Sequence, residues 1–151
     1  MEEIISKRKV PQIPEGVKIQ YAGRGSLPSL VIKDISEEGV LDIVRKVRSG
    51  QYPSLYLSPD EYGEEGYLML ESSPDLIFLQ IWDAESETAW ACFDPAYLES
   101  DEEAPIEPSD RQSVIQMRNT MRDRELAAKC VEWYIHTCEP YPGMGWLKES
   151  L

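Results

Sequence analysis

The chain has 151 residues, a length that suits one domain, residues 1–151, able to bury a hydrophobic core. Its hydrophobic fraction of 42% exceeds that of disordered chains, and no apolar run is long enough to cross a bilayer. The formal net charge of −13 disfavours nucleic acids and anionic membranes as partners, because contacts to phosphate groups need cations.

The distribution of the charge is more informative than its size. Residues 49–110 contain 16 Asp or Glu and no Lys or Arg, so all 15 basic residues lie outside this window. A uniformly acidic region suits a basic partner, which it attracts and complements. A simpler interpretation is that a negative surface keeps the protein soluble, and the charge alone favours this simpler interpretation.

The N-terminus and the cysteines favour a cytoplasmic location. Residues 1–10 lack the apolar segment of a signal peptide. Cys130 and Cys138 lie two turns apart on a predicted helix, beyond the roughly 7 Å between Cα atoms that a disulfide tolerates. We therefore expect reduced thiols in a cytoplasmic protein.

The N-terminal third is predicted to begin with a loose lead-in and two short strands. Residues 1–15 contain two prolines and three successive basic residues, and are expected to be loosely held. Residues 17–21 alternate apolar and polar side chains, as a half-buried strand does. Residues 23–25 then predict a turn, and residues 30–32 a second strand.

A helix is predicted at residues 36–48. Asp34 or Ser36 can cap its first turn, and Gly50 ends it. Its acidic residues lie in the N-terminal half and its basic residues in the C-terminal half, as the helix dipole favours. Four apolar side chains share one face: Val40, Ile43, Val44 and Val47.

An antiparallel meander is predicted in the middle of the chain. After a possible strand at residues 54–57, runs of strand-forming residues follow at 67–70, 76–82 and 88–93. The segments between these three runs are short enough to be hairpin turns. The middle run is apolar on both faces, as expected of a central strand that helices cover on one side.

The meander is followed by an acidic segment and a second helix. Residues 95–110 are rich in proline and acid and predict an exposed loop, and residues 113–118 are a candidate for the last strand. The second helix is predicted at residues 123–138, with Asp123 as its cap. Its apolar stripe consists of Ala127, Cys130, Val131, Tyr134 and Cys138. Together these elements predict an α+β fold, in which a mainly antiparallel sheet with a central meander is packed by two helices.

No catalytic or metal-binding motif accompanies these elements. The single histidine, His136, falls in the second helix, where a capping or surface position is expected. The sequence lacks the motifs of zinc sites, serine hydrolases and phosphate-binding loops, and the acids of residues 60–65 do not have EF-hand spacing. We therefore expect no enzymatic activity, no cofactor and no metal ion.

Aromatic residues are interleaved with the acidic window. Tyrosine and tryptophan beside carboxylates are typical of an interface for a basic protein, because they combine rigid anchors with charge complementarity. Trp82 and Trp90 are explained at least as well as core residues of strands. Tyr62, which lies in a polar loop between glutamates, is harder to bury and therefore favours an interface.

The C-terminal quarter carries a recognisable pattern. Residues 113–116 precede a helix, residues 125–138, that contains paired alanines and aromatic residues, and Pro142 and Trp146 follow. This pattern resembles the C-terminal signature of the Imm1-type immunity proteins of bacterial polymorphic toxin systems. The central meander is compatible with the middle of that family.

The resemblance implies an intracellular inhibitor that forms a heterodimer with one cognate toxin, often a nucleic-acid deaminase or nuclease, and blocks its active site. An acidic surface can occupy a basic substrate cleft as a phosphate mimic, without catalytic residues. The residues expected to bind the toxin are Asp60, Glu61, Tyr62, Glu64, Glu65, Asp83, Glu85, Glu87, Asp101, Glu102 and Glu103. The alternatives are a small enzyme or ligand-binding domain whose carboxylates share a pocket and have raised pKa values, and an adaptor with an acidic surface.

Overall fold

The structure, a computed structural model, describes residues 1–23, 31–33 and 35–151, with only the backbone for residues 31–33. The turn predicted after Gly23, the strand start at Leu30 and the candidate cap Asp34 lie outside the described residues. Within the described ranges, no helix is long and apolar enough to cross a membrane.

The described strands form one antiparallel sheet. In chain order the elements are β1 (Glu2–Ile5), β2 (Tyr21–Gly23), β3 (Val31–Lys33), α1 (Glu37–Ser49), β4 (Ser54–Ser58), β5 (Gly66–Ser72), β6 (Ile77–Asp83), β7 (Thr88–Ala91), β8 (Thr120–Met121), α2 (Arg124–Thr137) and β9 (Trp146–Ser150). The hydrogen-bonded order is β1-β9-β7-β6-β5-β4-β2-β3, and β8 pairs with one end of β6. The predicted α+β class, the meander and both helices are confirmed.

Each helix begins at a side-chain cap and ends at a left-handed residue. The hydroxyl of Ser36 accepts a hydrogen bond from the Gly39 amide at 3.1 Å, and α1 ends at Gly50. The carboxylate of Asp123 accepts from the Leu126 amide at 3.1 Å, so the predicted cap of α2 is confirmed.

One hydrophobic core lies between the helices and one face of the sheet. Alternate residues of β6, among them Leu79 and Ile81, are at most 1% exposed and share this core with Cys130 and Val131 of α2. Cys92 and Cys130 are buried and Cys138 is half-buried, and none of the three is bonded to another cysteine. The other side chains of β6 lie on the opposite face of the sheet, called the second face below, and are half-buried. Another part of the chain must therefore cover this second face.

The lead-in predicted at residues 1–15 is wrong over residues 2–5, which form β1, while residues 6–15 have no helix or strand and are mostly exposed. β1 forms one edge of the sheet, where Ile5 pairs with Trp146 of β9, and the Arg8 amide donates to the Pro142 carbonyl at 2.8 Å. Neither β1 nor β9 was predicted, because the mostly exposed β1 shows no apolar alternation and its partner lies at the other end of the chain.

The strand predicted at residues 17–21 is also wrong in position, because β2 begins only at its last residue. The preceding segment instead runs along α2, where the Lys18 amide donates to the Ile135 carbonyl at 2.9 Å. The ring of His136 contacts the Gly16 carbonyl through Nδ1 and is 9% exposed. His136 therefore holds this segment on the helix and is not a surface residue.

Residues 95–119 fold back over the second face of the sheet. The strand predicted at residues 113–118 is wrong, because Gln116 makes only an isolated bridge to Glu103 and the short strand β8 starts at Thr120. The loop predicted at residues 95–110 is exposed along much of its length, but Ile106 is buried. A second, smaller hydrophobic core anchors residues 95–119 on this face. It is formed by Leu76, Ile106, Ile115 and Met117.

Candidate functional site

Two acidic loops lie side by side at one end of the sheet. The first joins β4 to β5 (residues 59–65), and the second joins β6 to β7 (residues 84–87). The Ala84 amide of the second donates to the Glu65 carbonyl of the first at 3.1 Å. We call this surface the acidic end; the predicted partner-binding residues that it brings together are Asp60, Glu61, Tyr62, Glu64, Glu65, Asp83, Glu85 and Glu87.

Asp60 organises the first loop. One carboxylate oxygen accepts from the Glu64 amide at 2.7 Å, and the other accepts from the Glu65 amide at 2.9 Å. Below it, the Ser58 hydroxyl donates to the Gly66 carbonyl at 2.8 Å. Burial raises the pKa of the Asp60 carboxyl, but the hydrogen bonds from these two amides, the Ser58 hydroxyl and the Tyr62 amide together outweigh burial and hold this pKa below its ordinary value.

We expect Asp60→Ala to lower the free energy of unfolding by about 1–3 kcal/mol at neutral pH, because two amides lose a charged acceptor. Since the pKa of Asp60 is lower in the folded state, its stabilising effect is present above the unfolded value of about 4 and is lost as the pH falls through the folded value. Urea unfolding at neutral pH and below about pH 3 should show the deficit shrinking in acid.

The matched control for this measurement is Glu85→Ala, which removes an exposed carboxylate from the second loop. Its effect should stay within about 0.5 kcal/mol. Equal deficits for the two variants at neutral pH would contradict the organising role of Asp60.

Two glycines allow the first loop to lie close to the strands. At Gly63 (φ 70°) a Cβ would clash with the Tyr56 hydroxyl, and at Gly66 (φ 154°) it would lie 2.5 Å from the Trp82 carbonyl oxygen. Tyr56 also stacks on Tyr67 with 5.2 Å between ring centroids, and burial raises the pKa of its phenol. Packing therefore reinforces the shape that Asp60 gives to the loop.

Asp83 orders the second loop in a similar way. Its carboxylate accepts from the Ser86 hydroxyl at 2.7 Å and from the Glu85 amide at 3.3 Å. Glu87 adopts φ 50°, and its carbonyl accepts from the Leu151 amide at 3.0 Å. Both loops thus use one aspartate to fix the backbone that carries their glutamates.

The side chains left on the surface are one aromatic ring and a group of carboxylates. Tyr62 is 65% exposed, which agrees with its expected position in a polar loop. Trp82 is half-buried on the second face of the sheet, while Trp90 packs against the main core. The exposed carboxylates are those of Glu61, Glu64, Glu65, Glu85 and Glu87. Such a surface can bind cationic groups without first ordering its backbone.

Residues 101–103 do not belong to the acidic end. The Glu102 carbonyl accepts from the Met117 amide at 2.9 Å, close to β8, which pairs with Ile77 at the start of β6. Asp83 ends the same strand, roughly 20 Å away at the rise of a β-strand. The predicted binding residues therefore fall into two separate groups.

A cavity of about 280 Å³ opens beside the acidic end. It is lined by the aromatic residues Trp90, Tyr141 and Trp146, and by the carboxylates Asp83 and Glu139. Of these five residues, only Asp83 was predicted as a site residue. The others meet because β7 pairs with β9, and no local pattern in the sequence indicates that pairing.

A second cavity, of about 330 Å³, lies between the sheet and residues 108–119 and contains the carboxylates of Glu71 and Asp110. Glu71 is 4% exposed and accepts from the Ser109 amide at 3.1 Å. Hydrogen bonds from the hydroxyl and amide of Ser113 lower the pKa of the Asp110 carboxyl. The Glu71 carboxylate therefore ties the covering segment, residues 108–119, to the sheet, and the Asp110 carboxylate orders the turn within that segment.

Among the residues that the structure describes, no group of three or more His, Cys, Asp or Glu is placed to hold a metal ion. Comparisons of the chain with protein families, curated proteins and solved structures gave no match.

Proposed function

We propose that the chain is an immunity protein that binds a cognate bacterial toxin in the cytoplasm and covers the toxin's basic active-site cleft with the acidic end. A deaminase or nuclease acting on nucleic acids is the toxin class that fits best, because its cleft must attract phosphate groups. The carboxylates of the acidic end would occupy the positions of those phosphates. Inhibition of this kind needs no catalytic residue in the chain.

The observation that carries the proposal is the side-by-side placement of two ordered acidic loops. Neither loop contains Lys or Arg, and their glutamates are displayed from backbones that Asp60 and Asp83 hold in place. Ordered loops lose little conformational entropy on binding, which favours a tight complex. Tyr62 supplies an exposed aromatic ring of the type that anchors protein interfaces.

The C-terminal pattern that resembles immunity proteins also supports the proposal. Its helix lies in the core as α2, where Ala127, Cys130 and Val131 are fully buried. Its last residue, Trp146, begins β9 and is 2% exposed. In this proposal the pattern serves the scaffold, and binding is left to the acidic loops.

The second candidate, a small enzyme or ligand-binding domain, is favoured by the cavity that holds Glu71 and Asp110. A general acid in such a pocket needs a raised pKa, whereas the pKa of Asp110 is lowered. Glu71 already accepts hydrogen bonds from the covering segment. These contacts support a structural role for both groups, so the immunity function remains the better supported proposal.

The direct test is co-expression with a candidate toxin, a deaminase or nuclease from a reading frame that adjoins the gene of this chain. Expression of the toxin alone should stop bacterial growth, and co-expression of the chain should restore it. The purified proteins should form a 1:1 complex in which the toxin's activity is lost. A toxin that stays fully active with a molar excess of the folded chain would contradict the proposed function.

A further inference from the structure

The aromatic cavity beside the acidic end lies where several strands meet the segment that joins α2 to β9. Trp90 lies on β7, Asp83 ends β6, and the segment that joins α2 to β9 supplies Glu139 and Tyr141. The indole N–H of Trp146 donates to the Tyr141 carbonyl at 2.8 Å and so fixes this segment. The wall of the cavity is therefore formed by an ordered segment of the fold.

One ring contact and one glycine position Tyr141 against the cavity. Its ring packs edge-on against Trp133, with 5.9 Å between the ring centroids. At Gly143 a Cβ would lie 2.5 Å from the Tyr141 ring, so a larger residue would push the ring away. Between α2 and β9, the glycine at position 143 thus leaves the space that the Tyr141 ring occupies.

The cavity combines aromatic walls with negative charge. Burial is the main reason that the pKa of the Cys138 thiol is raised, and the charges of Glu139, Glu65 and Asp83 raise it further against the opposing effect of Lys18. The acidic charges therefore act on groups inside the cavity as well as on solvent. Aromatic faces next to carboxylates favour a cationic group, and a planar guanidinium can stack on a ring while it binds a carboxylate.

The size of the cavity limits what it can hold. Sites for drug-sized ligands are roughly 300–1,000 Å³, so a space of about 280 Å³ suits one long side chain better than a cofactor. Asp83 belongs to both the cavity and the acidic end. A partner protein that is bound to the acidic end can therefore place one side chain in the cavity while its own backbone stays in contact with the acidic end.

We propose that this cavity is the binding site for one arginine side chain of the partner protein, held between the aromatic walls and the carboxylates of Asp83 and Glu139. This proposal rests on the proposed function and names the partner group that it requires. Arg8 lines the rim of the same cavity, and its amide is tied to the Pro142 carbonyl. We therefore expect the chain's own guanidinium to compete with the partner's arginine for the same negative charges.

The test uses N-acetyl-arginine amide as the probe and its neutral citrulline counterpart as the matched control. Binding is followed by the indole N–H signals of Trp90 and Trp146 in NMR spectra, assigned with Trp90→Phe. We expect the arginine probe to shift these signals with a dissociation constant on the order of millimolar, and the citrulline probe to bind at least roughly tenfold more weakly because it has no charge.

Two variants then identify the groups that bind the probe. Glu139→Gln should weaken the binding of the arginine probe by about two- to fivefold, as for a partly exposed ion pair. Arg8→Gln should strengthen it by a similar factor, because a competing cation is removed. Lys9→Gln is the control, since Lys9 lines the neighbouring groove and not this cavity.

The proposal is overturned if the citrulline probe binds as tightly as the arginine probe, or if neither probe shifts the Trp90 signal. It is also overturned if Arg8→Gln weakens binding. The probe titration needs no toxin, so its outcome is separable from that of the proposed function. If the toxin complex forms but the arginine probe does not bind, only the proposed arginine site is contradicted. If the probe binds but no toxin complex forms, only the proposed immunity function is contradicted.

Discussion

The double variant Glu64→Lys with Glu65→Lys should weaken the proposed toxin complex by at least roughly a hundredfold, because close charge pairs across an interface are worth about 1.5 kcal/mol or more each. Both glutamates are exposed on the loop that Asp60 holds in place, so the substitutions leave the backbone intact. The affinity of the variant should also depend less on salt, since fewer opposite charges meet. Calorimetric titrations at two salt concentrations measure both effects.

The matched control is Asp101→Lys with Glu102→Lys, which changes the net charge by the same amount at the other end of β6. Long-range attraction alone should make this variant only a few-fold weaker, through a slower association rate. The variant at residues 64 and 65 should instead dissociate faster, because contacts within the complex are lost. Equal losses for the two double variants would show that total charge matters and that the acidic end does not make the contact.

The substitution Leu79→Ala should give the largest loss of stability, about 2–5 kcal/mol, because it leaves a cavity in the main core. Leu79 lies in the central strand β6 and is fully buried among core residues of the sheet and α2. For a chain of this length, the loss corresponds to a melting temperature lower by roughly 10 °C. Thermal unfolding followed by circular dichroism measures this shift.

Gln80 provides the control for Leu79, because it is the next residue of the strand and points to the opposite face, where it lines the second cavity. We expect Gln80→Ala to change the free energy of unfolding by no more than about 0.5 kcal/mol. A deficit for Gln80→Ala as large as that for Leu79→Ala would mean that the core lies on both faces of the strand.

Elements with a local signal could be predicted from the sequence, and elements that depend on distant pairing could not. The apolar face of α1 and the caps Ser36 and Asp123 lie within a few residues of what they stabilise, so both helices were found. The meander was found because its strands follow one another through short turns. β1 and β9 were missed, since each becomes a strand only by pairing with chain that lies far away in the sequence.

The same distinction applies to the candidate site. The first acidic loop leads into β5 and the second follows β6, and these two strands are neighbours in the meander, so the placement of Glu64 and Glu85 near each other was accessible from the sequence. The organising hydrogen bonds of Asp60 were not, because an aspartate in an acidic run looks the same whether its carboxylate is engaged or not. Glu139 and Tyr141 were missed because only the β7–β9 pairing brings them beside Asp83.

The pairing of β1 with β9 has a consequence for the order in which the protein folds during synthesis. The amino group of Met1 bonds to the Ser150 carbonyl, and these residues are separated by 149 positions. The open edges of β1 and β7 stay unpaired until β9 has been made, so the sheet closes late and slowly. Because the Leu151 amide bonds to the Glu87 carbonyl, the second acidic loop also gains its last contact only then. The acidic end of a nascent chain would thus be complete only after β9 has joined the sheet.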